Sequence, residues 1–147
     1  MIMIVKGNLL NATEEIIAHQ VNCQGVMGAG LALQIRNQFP SSYGAYKSVC
    51  NMKKPSELLG KIMMVGIEDK IICHMFAQLR YGRDKQHTDY NALRDCLASL
   101  NKHASAEKKS VALPYGIGCG LAGGDWNVVY QIIKSEMMDC NVAIYKL

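Results

Sequence analysis

The chain contains no Cys-x-x-Cys pair, although it has six cysteines, at positions 23, 50, 73, 96, 119 and 140. Thiols this far apart, on a chain without a secretory leader or a long apolar run, exclude a disulfide scaffold and a membrane span. They point to a reduced, cytoplasmic protein with no membrane partner. Histidines at 19, 74, 87 and 103 lack metal-ligand spacing, so no metal and no other cofactor is expected. Charge of one sign is not concentrated either: the net is +4, and the basic excess is spread over 1–60 (five basic against three acidic residues) and 61–109 (nine against six), with two against three in 110–147. That is too diffuse for a nucleic-acid stripe, but a modest positive field suits a small anionic ligand held in a cleft. The phosphate-binding pattern G-x-x-x-x-G-K-[ST] is missing, which disfavours ordinary nucleotide hydrolysis. No repeat or linker interrupts the 147 residues, half of them apolar, so residues 1–147 form a single domain with a real core.

What is present alternates between two periodicities. Short apolar runs at 1–6, 15–22, 59–66, 70–76, 110–113 and 141–147 read as strands. Between them lie helical stretches. Leu31 to Phe39 stops before Pro40, and a second helix carries Tyr43, Tyr46 and Val49 on one face, capped by Ser41 or Ser42. Residues 88–103 place Tyr90, Leu93, Leu97 and Leu100 at amphipathic spacing behind Thr88 or Asp89 as cap, and Asp125 opens a helix running to about Met138. Strands interleaved with helices imply an α/β fold of three layers, α/β/α, around a central mixed, largely parallel sheet.

Glycine is not evenly spread. Eight of the thirteen glycines, at 25, 28, 30, 116, 118, 120, 123 and 124, fall in two loops that each follow a strand and precede a helix. Glycine lets the main chain approach a ligand, so successive N–H groups can converge on a phosphate at a helix N-terminus. The alternative is a pair of tight strand-to-helix turns. Gly118 to Gly123 also matches G-x-G-x-x-G, but the strand that should supply a ribose-binding acid ends Tyr145-Lys146-Leu147, so a dinucleotide site of the Rossmann type is disfavoured.

Three motifs carry a resemblance: Lys6-Gly7-Asn8-Leu9-Leu10, the run from Val21 through Gly30 to Ala32, and Leu113-Pro114-Tyr115-Gly116-Ile117-Gly118-Cys119-Gly120-Leu121 followed by a helix opening Asp125-Trp126. In that order they resemble a macro domain essentially end to end. The likeness is greatest to the branch with the terminal ADP-ribose glycohydrolases, the DarG-type antitoxins that clean ADP-ribose from DNA, and the fungal ADP-ribose 1″-phosphate phosphatases. The resemblance implies a cleft for ADP-ribose. Asn22, Gly28 and Gly30 would surround the distal ribose, with Gln20, Gly25, Met27 and Leu31 beside them. Gly116, Ile117, Gly118, Cys119 and Gly120 would wrap the diphosphate through backbone N–H groups, flanked by Pro114 and Leu121. Adenine would lie near Asn8 and Leu9, where many members carry an Asp in place of Asn8.

Glycohydrolases of this branch use a Lys after the fifth strand and an Asp in the second glycine loop, and here Gln78 and Ala122 stand in those regions. A side-chain amide neither forms a Schiff base nor acts as a general base. His19, one short strand segment before the first loop, resembles in position the functional histidine of the fungal phosphatases. It is either a proton-transfer group or a hydrogen-bonded core histidine. The polar stretch Arg80 to His87 is either a lid, with Asp84 assisting His19 and Arg80 or Arg83 holding a phosphate, or a solvated connection. Cys23 and Cys119 have no base beside them in sequence and read as packing residues. The implied activity is hydrolysis of ADP-ribose 1″-phosphate or a related distal-ribose adduct. The alternatives are an ADP-ribosyl glycohydrolase acting on protein or DNA, and a non-catalytic ADP-ribose-binding module.

Overall fold

The apolar runs form six strands in one sheet of order β1-β6-β5-β2-β4-β3: β1 Ile2–Lys6, β2 Ile16–Asn22, β3 Ile62–Ile67, β4 Lys70–Gln78, β5 Val111–Pro114 and β6 Val142–Lys146. Every pairing is parallel except that of β3 with β4, which meet at a tight turn where Glu68 takes a positive φ of 56°. These positions come from a computed structural model that describes all residues, 1–147. The helices are α1 Gly30–Gln38, α2 Pro40–Met52, α3 Pro55–Leu58, α4 Tyr90–Glu107 and α5 Trp126–Glu136. None is long and apolar enough to cross a membrane.

Strand side chains alternate in direction, and that period of two sorts the core into two halves. Ile16, Ala18, Cys73, Met75, Val111 and Leu113 pack with Leu93, Leu97 and Leu100 of α4 and Ile132 and Ile133 of α5. Ile17, Val21, Ile72, Phe76 and Ala112 pack on the opposite face with Ile35 of α1, Tyr46 of α2 and Leu58 of α3. Asp89 and Asp125 cap α4 and α5 by accepting from the N–H of Ala92 and of Asn127. The second helix begins differently from the sequence expectation. Pro40 takes the first helical position, where its missing N–H costs nothing, and the Ser42 hydroxyl donates to the Phe39 carbonyl instead of capping. A short 3₁₀ turn at Leu9–Asn11 and the four-residue α3 carry too little periodicity to be read from sequence.

One feature of the sheet positions the site. β2 and β5 share only two register pairs, Ile16 with Val111 and Ile17 with Ala112, and then diverge. After β2 the chain passes to α1 on one face, and after β5 it passes to α5 on the other. A crevice therefore opens at the carboxyl ends of two adjacent parallel strands whose crossovers leave in opposite directions, which is where open α/β sheets bind ligands.

Candidate functional site: a cleft between two glycine loops

The crevice is a cleft of about 780 Å³, lined by His19 to Asn22 of β2, the first glycine loop, the start of α1, Gln78, residues 81–83, Pro114 to Gly118 and Gly120 to Ala122. Its only formally charged lining residue is Arg83; no Asp, Glu or Lys contributes. No three His, Cys, Asp or Glu side chains anywhere in the chain cluster closely enough to hold a metal ion.

The first loop is shaped by Asn22. Its amide donates to the Val26 carbonyl at 2.7 Å, while its oxygen accepts from the Gln24 N–H at 2.9 Å and the Tyr46 hydroxyl at 2.9 Å. Both polar atoms of the Asn22 side chain are thus engaged in folding the loop. The loop delivers the chain to α1, whose N-cap is Ala29, a residue with no side-chain acceptor to offer. The N–H groups of Gly30, Leu31 and Ala32 consequently have no protein partner, and all three residues line the cleft. An uncapped N-terminus carries roughly half a positive charge, and here it faces a cavity without carboxylates.

The second loop alternates. The N–H of Ile117 donates to Pro114 and that of Cys119 to Gly116, whereas those of Gly116, Gly118 and Gly120 have no protein acceptor. Of the five N–H groups expected at the diphosphate, turn hydrogen bonds thus engage two and leave three free. Gly118 sits at φ +74°, and a Cβ there would come within 2.8 Å of Gln20 Oε1 and 3.0 Å of Thr88 Oγ1. Only glycine fits. The contact is also a brace. Thr88 donates its hydroxyl to the Gly118 carbonyl at 2.6 Å, so its oxygen must accept from Gln20 Nε2 at 2.9 Å, and Gln20 Nε2 also donates to Gln78 Oε1 at 2.8 Å. These orientations leave Gln20 Oε1 as a buried acceptor without a partner.

His19 is 1% exposed and lines the cleft, and its Nε2 lies 2.7 Å from His74 Nδ1. His74 Nε2 lies 3.1 Å from the carbonyl of Ser42. The other ring nitrogen of His19, Nδ1, is buried without a partner. Burial lowers the His19 pKa well below its usual value, helped by the neighbouring His74, and burial likewise lowers His74 from 6.5 to about 4, against a smaller opposing effect of the Ser42 hydrogen bond. Both rings are therefore neutral at pH 7. The linkage has a definite sign. Above about 6.5 neither the folded nor the unfolded chain protonates His74, and between 6.5 and about 4 only the unfolded chain does, so stability falls as pH falls through that window. Urea midpoints should drop between pH 7 and pH 5 in wild type and drop less in His74→Gln; equal slopes would contradict the buried neutral pair.

Among the residues expected at the site, Gln20, Asn22, Gly28, Gly30, Leu31, Pro114, Gly116, Ile117, Gly118, Gly120, Leu121 and His19 line the cleft together. Others do not. Met27 is 1% exposed and packs with Ile35 and Tyr46, so it is a core residue, and Gly25, at φ +81°, lies against Cys50 and Lys47. Cys119 points its thiol at the Ile117 carbonyl, Leu9 is in the core, and the Asn8 oxygen accepts from the Leu10 N–H at 3.0 Å. Burial pushes the Cys23 thiol up to about 12 and the Cys119 thiol to about 11, which keeps both protonated and unreactive.

Asp84 is not brought to His19 by any hydrogen bond. Its carboxylate, 71% exposed, takes a 2.8 Å contact from His87, and that contact holds its pKa below the usual range. Residues missed by sequence reasoning are His74, Thr88, Tyr81 and Tyr115. The first two act through contacts across 55 and 30 positions that no local pattern marks, and the last two line the cleft from loops.

A family model for the Macro domain matches residues 18–133. The chain belongs to the macro domain family. This macro domain is 32% identical over 154 aligned residues to a DNA ADP-ribosyl glycohydrolase of Mycobacterium tuberculosis, covering 99% of this chain and 42% of that protein. It is 28% identical to an ADP-ribose 1″-phosphate phosphatase of Meyerozyma guilliermondii, covering 95% of this chain and 96% of the other. The solved macrodomain of Mycobacterium tuberculosis DarG superposes with a TM-score of 0.84 at 30% identity, covering 100% of this chain and 98% of that one. The chain spans about two fifths of the length of the DNA ADP-ribosyl glycohydrolases it matches.

Proposed function

We propose that this macro domain binds ADP-ribose in the cleft and hydrolyses ADP-ribose 1″-phosphate to ADP-ribose and inorganic phosphate. The observation that carries the reading is the neutral, buried Nδ1 of His19, an acceptor with no donor in the chain, on a residue lining a cleft that also presents unpaired backbone N–H donors and no carboxylate. The diphosphate takes its hydrogen bonds from Gly116, Gly118 and Gly120 and from the open N-terminus of α1, with Arg83 at the rim. The distal ribose lies against the first loop. Adenine reaching Asn8 and Leu9 would extend beyond the lining of the cleft, toward the end of β1. His19 Nδ1 removes a proton from a water molecule as its oxygen attacks phosphorus. The bond from phosphorus to the ribosyl oxygen breaks, and the same proton passes from the imidazolium to that leaving oxygen. Asp84 stays with His87 and takes no part.

Removal of ADP-ribose from DNA or protein is the second reading, favoured by the names of the glycohydrolases this chain resembles. Against it, Gln78 and Ala122 stand where the resemblance implies Lys and Asp, both line the cleft, and neither moves a proton. The two readings separate when the purified chain is incubated in parallel with ADP-ribose 1″-phosphate, ADP-ribosylated protein and ADP-ribosylated DNA. Phosphate release from the first substrate alone is expected. Turnover of the second or third in its place would move the assignment to glycohydrolase, and turnover of none to a binding module.

A further inference from the structure

The hydrogen bonds through His74 determine which nitrogen of His19 is free. A carbonyl oxygen only accepts, so His74 must carry its proton on Nε2 to donate to Ser42, 3.1 Å away. His74 Nδ1 is then a lone pair, and the 2.7 Å contact requires His19 to donate from Nε2. A neutral imidazole has one proton, so His19 Nδ1 is left bare. That is the nitrogen found buried and without a partner. A buried acceptor with no donor in the chain is destabilising unless a water molecule or a ligand donates to it. Gln20, another residue of the cleft wall, likewise has a buried acceptor, Oε1, with no donor in the chain.

We infer that His74 is a positioning residue: anchored on the Ser42 carbonyl, it locks His19 in the tautomer whose Nδ1 accepts a proton from water or a ligand hydroxyl. The inference rests on the proposed function only for the consequence in turnover, since the tautomer is a property of the protein alone. Without His74 the His19 proton is free to move to Nδ1, which converts the acceptor into a donor. Tyr46, whose ring centroid is 5.5 Å from that of His74, packs beside the pair without hydrogen-bonding to either ring.

The test is a long-range proton–nitrogen correlation spectrum of uniformly ¹⁵N-labelled protein at pH 7, with histidine signals assigned by substitution. Wild type should show His19 with a protonated Nε2 and a bare Nδ1. His74→Gln, whose amide oxygen can accept from His19 and whose amide nitrogen can donate to Ser42, should keep that pattern. His74→Phe should shift His19 toward Nδ1 protonation. In turnover, His74→Phe should lower kcat on the order of 10- to 100-fold with KM within about threefold, and His74→Gln should restore most of it. A wild-type spectrum with Nδ1 protonated would overturn the inference, as would His74→Phe with unchanged tautomer and unchanged kcat. If His74→Phe fails to fold, the wild-type and His74→Gln spectra decide. If wild type turns over no substrate, the proposed function fails while the spectrum still decides the tautomer.

Discussion

Replacing Gly120 with glutamate should abolish the thermal stabilisation that ADP-ribose gives the wild-type chain, while leaving the melting temperature of the free protein within about two degrees. Gly120 lines the cleft, its φ is not in the left-handed region, and a Cβ built there meets nothing within 4 Å. The side chain therefore enters open space beside the unpaired N–H groups of its own loop, without straining that loop. A carboxylate held there accepts the hydrogen bonds meant for a phosphate and repels the next anion to arrive. Wild type at a ligand concentration about one hundred times Kd should gain roughly 2.7 kcal/mol of stability by mass action, and Gly120→Glu almost none. Gly118 is the less useful position for this test. Its positive φ and its closeness to Gln20 and Thr88 mean that any side chain would also break the brace, confounding lost binding with lost fold. A full ligand shift in Gly120→Glu would place ADP-ribose elsewhere on the molecule.

The second large effect belongs to His19. An alanine there removes the base but also leaves His74 Nδ1 without its donor inside the core, so loss of activity and loss of stability of about 1–3 kcal/mol would arrive together. Glutamine separates them. Its amide can donate to His74 while its oxygen accepts a hydrogen bond but takes no proton at neutral pH. His19→Gln should retain ADP-ribose affinity within about threefold, melt close to wild type, and lose turnover on the order of 100-fold. Calorimetric titration and a phosphate-release assay on one preparation read all three. Full activity in His19→Gln would make His19 a core histidine, and with Asp84 held by His87 at the surface the hydroxyls of Tyr81 and Tyr115 would be left as the cleft groups able to pass a proton.

Much of this molecule is legible in its sequence because local physics decides it. Leu93, Leu97 and Leu100 face the core at helical spacing, Asp89 and Asp125 sit where a cap belongs, and the glycines at 116, 118 and 120 mark a loop whose backbone must approach something. What the sequence does not show depends on contacts or turns that no spacing encodes. Met27 lies between loop residues yet turns inward, because the loop folds back over α2 around Asn22 and Tyr46. Five N–H groups look equivalent in Gly116-Ile117-Gly118-Cys119-Gly120, but consecutive turns engage two of them and leave alternate donors free. His74 reads as one apolar strand position among others. Its role emerges only when the parallel register of β2 and β4 sets it beside His19.

Release of inorganic phosphate from ADP-ribose 1″-phosphate distinguishes most directly a cleft that hydrolyses from one that only binds. With the purified wild-type chain at neutral pH, phosphate should appear over many turnovers, in proportion to enzyme concentration, and excess ADP-ribose should suppress it by occupying the same cleft. If ADP-ribose binds and stabilises the chain but no phosphate is released beyond the uncatalysed rate, the account is contradicted and the cleft serves binding alone.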